Sequence, residues 1–367
     1  MSDGGVNQFR PDIVFPPGDT LNEAIEALGM TQADLSTRMG RPRKTMNGII
    51  KGDVAITPDT ALQLERVLGV SASFWSGLES RYQEFKVRKQ EEEALEKQKA
   101  WLRKFPVSEM VKMGWLEATK EPALQIQALL SFFGIASPEQ FASVLDRCHF
   151  ETDFRRDKKV STDWPSIAAW LRKGKLKAQE IDCAEFDPTE LRTTLAKVRH
   201  LTTQDPEVFV PAVVDLCRRV GVAVVFVKQL PRTRTSGAAR WLTATKAMIQ
   251  LSLRYKWNDQ IWFTFFHEAA HLLLHGKRLI FLDEDKPGSS TVEKEANEFA
   301  AQTLISEEEI QRFLSLSGRI TKAQIRTFSY ELGIAPGIVV GRLQHDKRLP
   351  YRQCNDLKVQ YDWSNGT

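Results

Sequence analysis

A chain of 367 residues with 42% hydrophobic and 27% charged residues is long enough for two or three domains with real cores, and its balance excludes a disordered or fibrous chain. The longest apolar runs, such as Val220 to Val227, fall far short of the ~20 residues of a spanning helix. The opening MSDGGVNQFR has no hydrophobic signal core, so a cytoplasmic protein with no membrane partner is expected. A formal charge of +4 is too mild to name nucleic acid as a partner on its own. Cys148, Cys183, Cys217 and Cys354 are too scattered for a CxxC knuckle or a disulfide framework, and read as reduced, structural thiols.

Residues 1–80 carry short helical periods broken by Gly and Pro, at ALGM, RMGRP, KGDVAITP and VLGVS, which predicts a compact bundle of short helices. Within it, MTQADLSTRMGRPRKTMNGIIKG reads as two helices and a turn. Thr31 and Asp34 stand at capping-box spacing, Leu35 and Met39 supply apolar positions, and Gly40 ends the first helix. Pro42 fits the start of the second, in which Met46, Ile49 and Ile50 face inward while Arg43, Lys44, Asn47 and Lys51 face out. Every charge from Arg38 to Lys51 is basic: Arg38, Arg41, Arg43, Lys44 and Lys51. That focus suits phosphate contacts, with Asn47 and Thr45 within reach of base edges in the major groove. The plainer reading is a bundle with a solvated basic face.

The stretch from Phe9 to Phe85 resembles the HigA-type antitoxins of the XRE helix-turn-helix family. The resemblance implies an operator-binding homodimer in which Gln32 meets a phosphate. Such antitoxins usually end soon after a segment like FWSGLESRY, so the long continuation of this chain puts a toxin partner in doubt.

From Arg81 to Lys104 the sequence is highly charged with few apolar positions, as expected of a solvated connecting helix. Residues 105–180 have helical periodicity, in PALQIQALLSFFGI and PEQFASVL, and no evident chemistry. Further on, VAVVFVKQL is β-branched and short enough for a buried strand, and ARWLTATKAMIQLSL reads as two strands around a polar turn at Thr243 to Lys246. The strand from Met248 to Leu253 is a candidate edge for an extended substrate, or plain sheet structure.

The stretch WFTFFHEAAHLLLHG then sets ionisable groups in an apolar helix. His267 and His271, four apart, project from one face about 6 Å from each other. Glu268, turned by about 100°, is placed to reach a water rather than the metal. This is the HExxH arrangement. His275 lies ~12 Å along the axis from His267, too far to share an ion, and is assigned to packing or outer support. Downstream, STVEKEANEFAAQTLIS reads as an amphipathic helix with Glu293 and Asn297 four apart. Glu293 is placed to complete the metal shell and Asn297 to hydrogen-bond a ligand histidine, with Glu295 the alternative ligand. For oxyanion stabilisation, Arg254, Tyr255 and Tyr330 are candidates by residue type alone.

The stretch from Phe186 to Gln344, through SGAARWL, the HExxH helix and VEKEANEFAAQTL, resembles the ImmA/IrrE family of zinc metallopeptidases, whose known members cleave transcriptional repressors. The resemblance implies zinc on His267, His271 and Glu293, with Glu268 as the catalytic carboxylate. Asn297 stands where some related zinc peptidases carry Asp. The expected architecture is multidomain: an all-α helix-turn-helix domain at 1–80, a charged helical connector and helical region at 81–180, and an α+β zincin-like domain at 181–367. The leading functional expectation is a DNA-binding regulator with a zinc endopeptidase domain that cleaves a repressor, a toxin or itself. The competing expectations are an antitoxin or repressor whose second domain only binds metal or a partner, and a protease that its first domain merely tethers.

Overall fold

The structure is a computed structural model. It describes residues 14–147, 163–231, 233, 235–252, 257–275, 281–284, 291–315 and 320–361, with backbone alone at 144–147 and 281–284. The described chain divides into two compact units, Met1–Lys99 with Glu121–Leu124, and Ala100–Lys120 with Gln125–Thr367. The candidates Arg254 and Tyr255, and Cys148, lie outside the described residues.

The first unit holds α1 (Pro17–Ala27), α2 (Gln32–Met39), α3 (Arg43–Ile50), α4 (Pro58–Leu68) and α5 (Ala72–Glu96). The Thr31 hydroxyl accepts from the Asp34 amide and the Asp34 side chain accepts from the Thr31 amide, the full capping box. Gly40, at φ 62°, takes the left-handed conformation that lets the chain turn directly into α3. The inward stripes of α1 to α5 meet in one core, with Leu21, Ile25, Leu35, Met46, Ile49, Leu64 and Trp75 all buried. Glu79 of α5 is buried too, and its carboxylate accepts from the Ile56 amide at 3.0 Å, fixing the loop before α4. Beyond that point α5 is mostly exposed.

The second unit takes α6 (Lys99–Leu102) from Ala100 on, α7 (Val107–Lys112), α8 (Pro122–Phe133) from Gln125 on, and α9 (Gln140–Arg147). Trp101, Phe105, Phe133 and Phe141 form an edge-on aromatic cluster among these. Three helices follow, α10 (Trp164–Glu180), α11 (Pro188–His200) and α12 (Pro206–Arg218). They lead to a mixed sheet of β1 (Val222–Val227), β2 (Thr235–Trp241), β3 (Ala247–Ser252) and β4 (Phe281–Glu284), in the order β1-β3-β2-β4. β1 and β3 are parallel, and β2 is antiparallel to both β3 and β4.

The unbroken apolar run of β1 follows from burial on both faces. Val222, Val224 and Phe226 join the main core, whereas Ala223, Val225 and Val227 pack with Ile167, Trp170 and Leu171 of α10. The main core also takes α13 (Asn258–Leu274), α14 (Thr291–Leu304), α15 (Glu307–Ser315), α16 (Lys322–Leu332) and α17 (Pro336–His345). The sheet is thus a middle layer between helices.

One expectation is corrected here. β3 is hydrogen-bonded to β1 on one side and β2 on the other, so it offers no edge to an added strand. Among the described residues the outer strands of the sheet are β1 and β4. Among the described residues, no helix is long and apolar enough to cross a membrane.

Candidate functional site

The apolar face of α13 presses its middle turns into the core, with Phe265, Phe266, Ala269 and Ala270 at or near zero exposure. Its N-terminus is held by the C-terminal segment: the Asn258 amide donates to Val359 O at 2.9 Å, and Lys358 Nζ meets Asp259 Oδ2 at 2.6 Å. Alongside packs α14, whose Ala296 and Ala300 are fully buried. Small residues at the contact allow polar side chains of α14 to reach across to α13.

His267, His271 and Glu293 converge there. Nε2 of His267 and Nε2 of His271 are 3.0 Å apart. One Glu293 oxygen lies 3.2 Å from His267 Nε2 and the other 3.6 Å from His271 Nε2. Donors bound at 2.0 to 2.1 Å around a tetrahedral zinc lie about 3.3 Å from one another, so the triangle has the size of one face of such a shell.

The outer nitrogens support the same fit. Asn297 Oδ1 lies 3.0 Å from His267 Nδ1, so the ring donates outward and turns its Nε2 lone pair inward. His271 Nδ1 lies 3.0 Å from His275 Nδ1, and His275 Nε2 lies 3.2 Å from Glu295 Oε2. A pair of imidazoles with one carboxylate is a zinc-type donor set. Burial, with smaller effects of His267 and His275, lowers the His271 pKa from 6.5 to about 2. The ring is therefore neutral, as a ligand must be.

Glu268 is fully buried on the neighbouring face of α13. It rests against β2 at Gly237, where an added Cβ would fall 2.5 Å from its Oε1 and 2.6 Å from Thr264 Cγ2. Sequence reasoning passed over Gly237, although a glycine inside a strand is the ordinary sign of a close approach. Of the residues singled out by spacing, His267, His271 and Glu293 come together, and Asn297 lies against His267. Glu295 turns to His275 and stands apart from the triangle. Tyr330, on α16, is 88% exposed.

In the first unit, α3 presents Arg43, Lys44 and Asn47 to solvent, with Lys51 just beyond it and Thr45 half-buried. Two residues of the expected surface are engaged inside the unit instead. Arg41 donates to Asp59 at 2.5 Å and to Gln63 at 2.7 Å, both on α4. The Gln32 amide donates to Asn22 Oδ1 at 3.3 Å. Neither contact was visible locally, because each partner lies 10 or more residues away.

These features define a two-part molecule, a helix-turn-helix unit and an α+β unit with a His-His-Glu centre. Residues 21–75 match the helix-turn-helix family model, and residues 217–343 match the IrrE N-terminal-like domain of the M78 peptidases. The chain accordingly joins an XRE-type helix-turn-helix domain to an ImmA/IrrE-type peptidase domain. It is 27% identical over 66 residues to the uncharacterized HTH-type transcriptional regulator YddM of Escherichia coli K12, covering 18% of this chain and 70% of that protein. It is also similar to two solved structures. The addiction module antidote protein of the HigA family from Coxiella burnetii is 30% identical with a TM-score of 0.22, covering 24% of this chain and 95% of that one. A putative antidote protein of a plasmid maintenance system from Nostoc punctiforme is 23% identical, also at 0.22, covering 23% and 92%.

Proposed function

We propose that this protein is a DNA-binding transcriptional regulator whose second domain is a zinc-dependent endopeptidase that cleaves a regulatory protein: a repressor, a toxin or the chain itself. The observation that carries the reading is the His267–His271–Glu293 triangle, with Glu268 next to the first histidine, in a chain that also bears a helix-turn-helix domain. The first domain binds its operator as a homodimer, with Arg43, Lys44 and Lys51 on phosphates and Asn47 and Thr45 at base edges.

His267, His271 and Glu293 would hold the zinc, which supplies Lewis-acid polarisation and an acidified water when bound. The protein's own part is geometric and protonic. Asn297 fixes the tautomer of His267. Gly237 lets Glu268 lie flat against β2, and the buried surroundings hold its carboxylate in one place. Glu268 takes the proton of the water that attacks the scissile carbonyl and returns it to the departing amine.

Glu268→Gln tests the reading. It removes the base and leaves the ligands, so the variant should hold about one zinc per chain by elemental analysis and fold as wild type. New protein termini should appear in cells carrying wild type and not in cells carrying the variant. Stoichiometric zinc with no cleavage by wild type under any condition would leave a metal-stabilised binding module. Absence of zinc from wild type would remove the centre itself.

A further inference from the structure

His275 and Glu295 belong to neither the metal triangle nor the proton path, yet they continue the polar line outward from it. His275 is nearly buried, with a side chain 7% exposed, whereas Glu295 is 53% exposed. Resting on the zinc reading above, we propose that His275 and Glu295 are positioning residues, a two-link hydrogen-bond chain that locks His271 in its metal-binding tautomer and sets the zinc affinity of the site.

With the His271 Nε2 lone pair turned to a metal, one placement of protons satisfies both outer contacts. The half-exposed Glu295 carboxylate accepts, so His275 Nε2 carries the proton and donates across the 3.2 Å contact. A neutral His275 with its proton on Nε2 has a lone pair on Nδ1. That lone pair accepts from His271 Nδ1–H across 3.0 Å. With its proton held on Nδ1, His271 turns the Nε2 lone pair to the centre, where His267 Nε2 and Glu293 await it. A proton on His275 Nδ1 would instead send the His271 proton to Nε2, where it would face the centre and block the metal-binding lone pair.

The two ligand histidines are therefore supported differently. His267 is held by one amide from α14, a fixed dipole. His271 is held by the imidazole of the residue just past the end of its own helix, which α14 orients through Glu295. Each chain ties α13 to α14, so both outer contacts hold the two ligand-bearing helices in register around the metal. Outer partners of this kind are worth ten- to a hundredfold in metal affinity.

The experiment uses the full-length protein and measures zinc dissociation by competition with a chromophoric chelator at one fixed pH, alongside the thermal midpoint of the metal-free protein. His275→Phe fills the space and removes the acceptor, and should weaken zinc binding by about ten- to a hundredfold. His275→Asn places an amide oxygen close to the lost Nδ1 and should recover most of that loss. Glu295→Ala should show a smaller loss in the same direction. With cobalt in place of zinc, His275→Phe should shift the visible ligand-field bands and His275→Asn should leave them near wild type. Zinc affinity within twofold of wild type in His275→Phe, or an Asn variant no better than Phe, overturns the proposal. A loss matched by an equal fall in metal-free stability in both variants overturns it too, in favour of packing. Failure of wild type to bind zinc at all strikes the underlying reading instead.

Discussion

Gly237 on β2 and Glu268 on α13 approach so closely that a methyl group at residue 237 would fall 2.5 Å from Glu268 Oε1 and 2.8 Å from Glu268 Cγ. The Glu268 carboxylate can lie where it does because the strand beneath it has no side chain there. Gly237→Ala should therefore push Glu268 out of line and lower peptide cleavage by about 10²-fold or more, since a displacement near 1 Å has that effect on a positioned group. Zinc content should be unchanged, because the atoms nearest an added methyl belong to Glu268 and Thr264 and not to His267, His271 or Glu293. Overpacking should also cost about 1 to 3 kcal/mol of stability. Parallel assays of zinc content, unfolding and cleavage separate these effects, and full activity in the variant would show that Glu268 is free to move.

His271 should make the metal-free fold sensitive to acid. Its native pKa is lowered to about 2 against an ordinary 6.5, mainly by burial. Below pH ~6.5 the unfolded chain takes up a proton there that the native chain refuses, so stability is fully present above that pH and falls as the pH is lowered. Between pH 7 and pH 5 the loss from this one group is about 2 kcal/mol. Urea titrations of chelator-treated protein at the two pH values measure it. In His271→Asn the pH dependence should shrink by a similar amount, and an unchanged dependence would exclude His271 as its source.

The helix-turn-helix domain should separate affinity from specificity. Arg43 and Lys44 are exposed at the start of α3, where neutralising either should weaken binding to all sequences and reduce the slope of log affinity against log salt by about 1. Asn47→Ala should instead relax discrimination by about 1 to 3 kcal/mol at one base pair. Arg41→Ala belongs to a different class: its guanidinium is held by Asp59 and Gln63, so it should lower the domain's thermal midpoint while leaving the salt slope of DNA binding near wild type. Titrations on operator and scrambled duplexes at several salt concentrations distinguish the three outcomes, and a salt slope unchanged in the Arg43/Lys44 double variant would take α3 off the DNA.

What could be read from the sequence was what adjacent residues decide. Thr31 and Asp34 close a capping box within one turn, and Gly40 ends the helix they begin. His267 and His271 share a helix face by spacing, and the same spacing on α14 placed Glu293 and Asn297 together. What escaped was set by distant chain. The order of strands decides whether β3 is an edge, and that order is fixed by β1, whose pairing no local pattern announces. Arg41 is claimed by α4, and the space over Gly237 is claimed by Glu268, 31 positions along the chain. The rise along the helix leaves packing or outer support open for His275, whereas its partner Glu295 comes from another element.

The two domains should act in one circuit, in which cleavage changes what the operator-bound protein allows to be transcribed. The ground for this is the covalent joining of a helix-turn-helix domain to an ImmA/IrrE-type domain, with α5 mostly exposed beyond Glu79 and so open to a protease. Glu268→Gln is the discriminating variant, since it leaves His267, His271, Glu293 and the first domain unchanged and removes only the proposed base. Transcription from the native operator should differ between cells carrying wild type and Glu268→Gln once the activating condition is met. Immunoblots should show a fragment of the substrate, or of the chain itself, in wild type alone. Operator binding by the two purified proteins should be equal, so that the difference in transcription traces to cleavage and not to occupancy. Identical transcription with no fragment of any protein across stress conditions, DNA damage among them, would break the circuit and leave two domains that share only a chain.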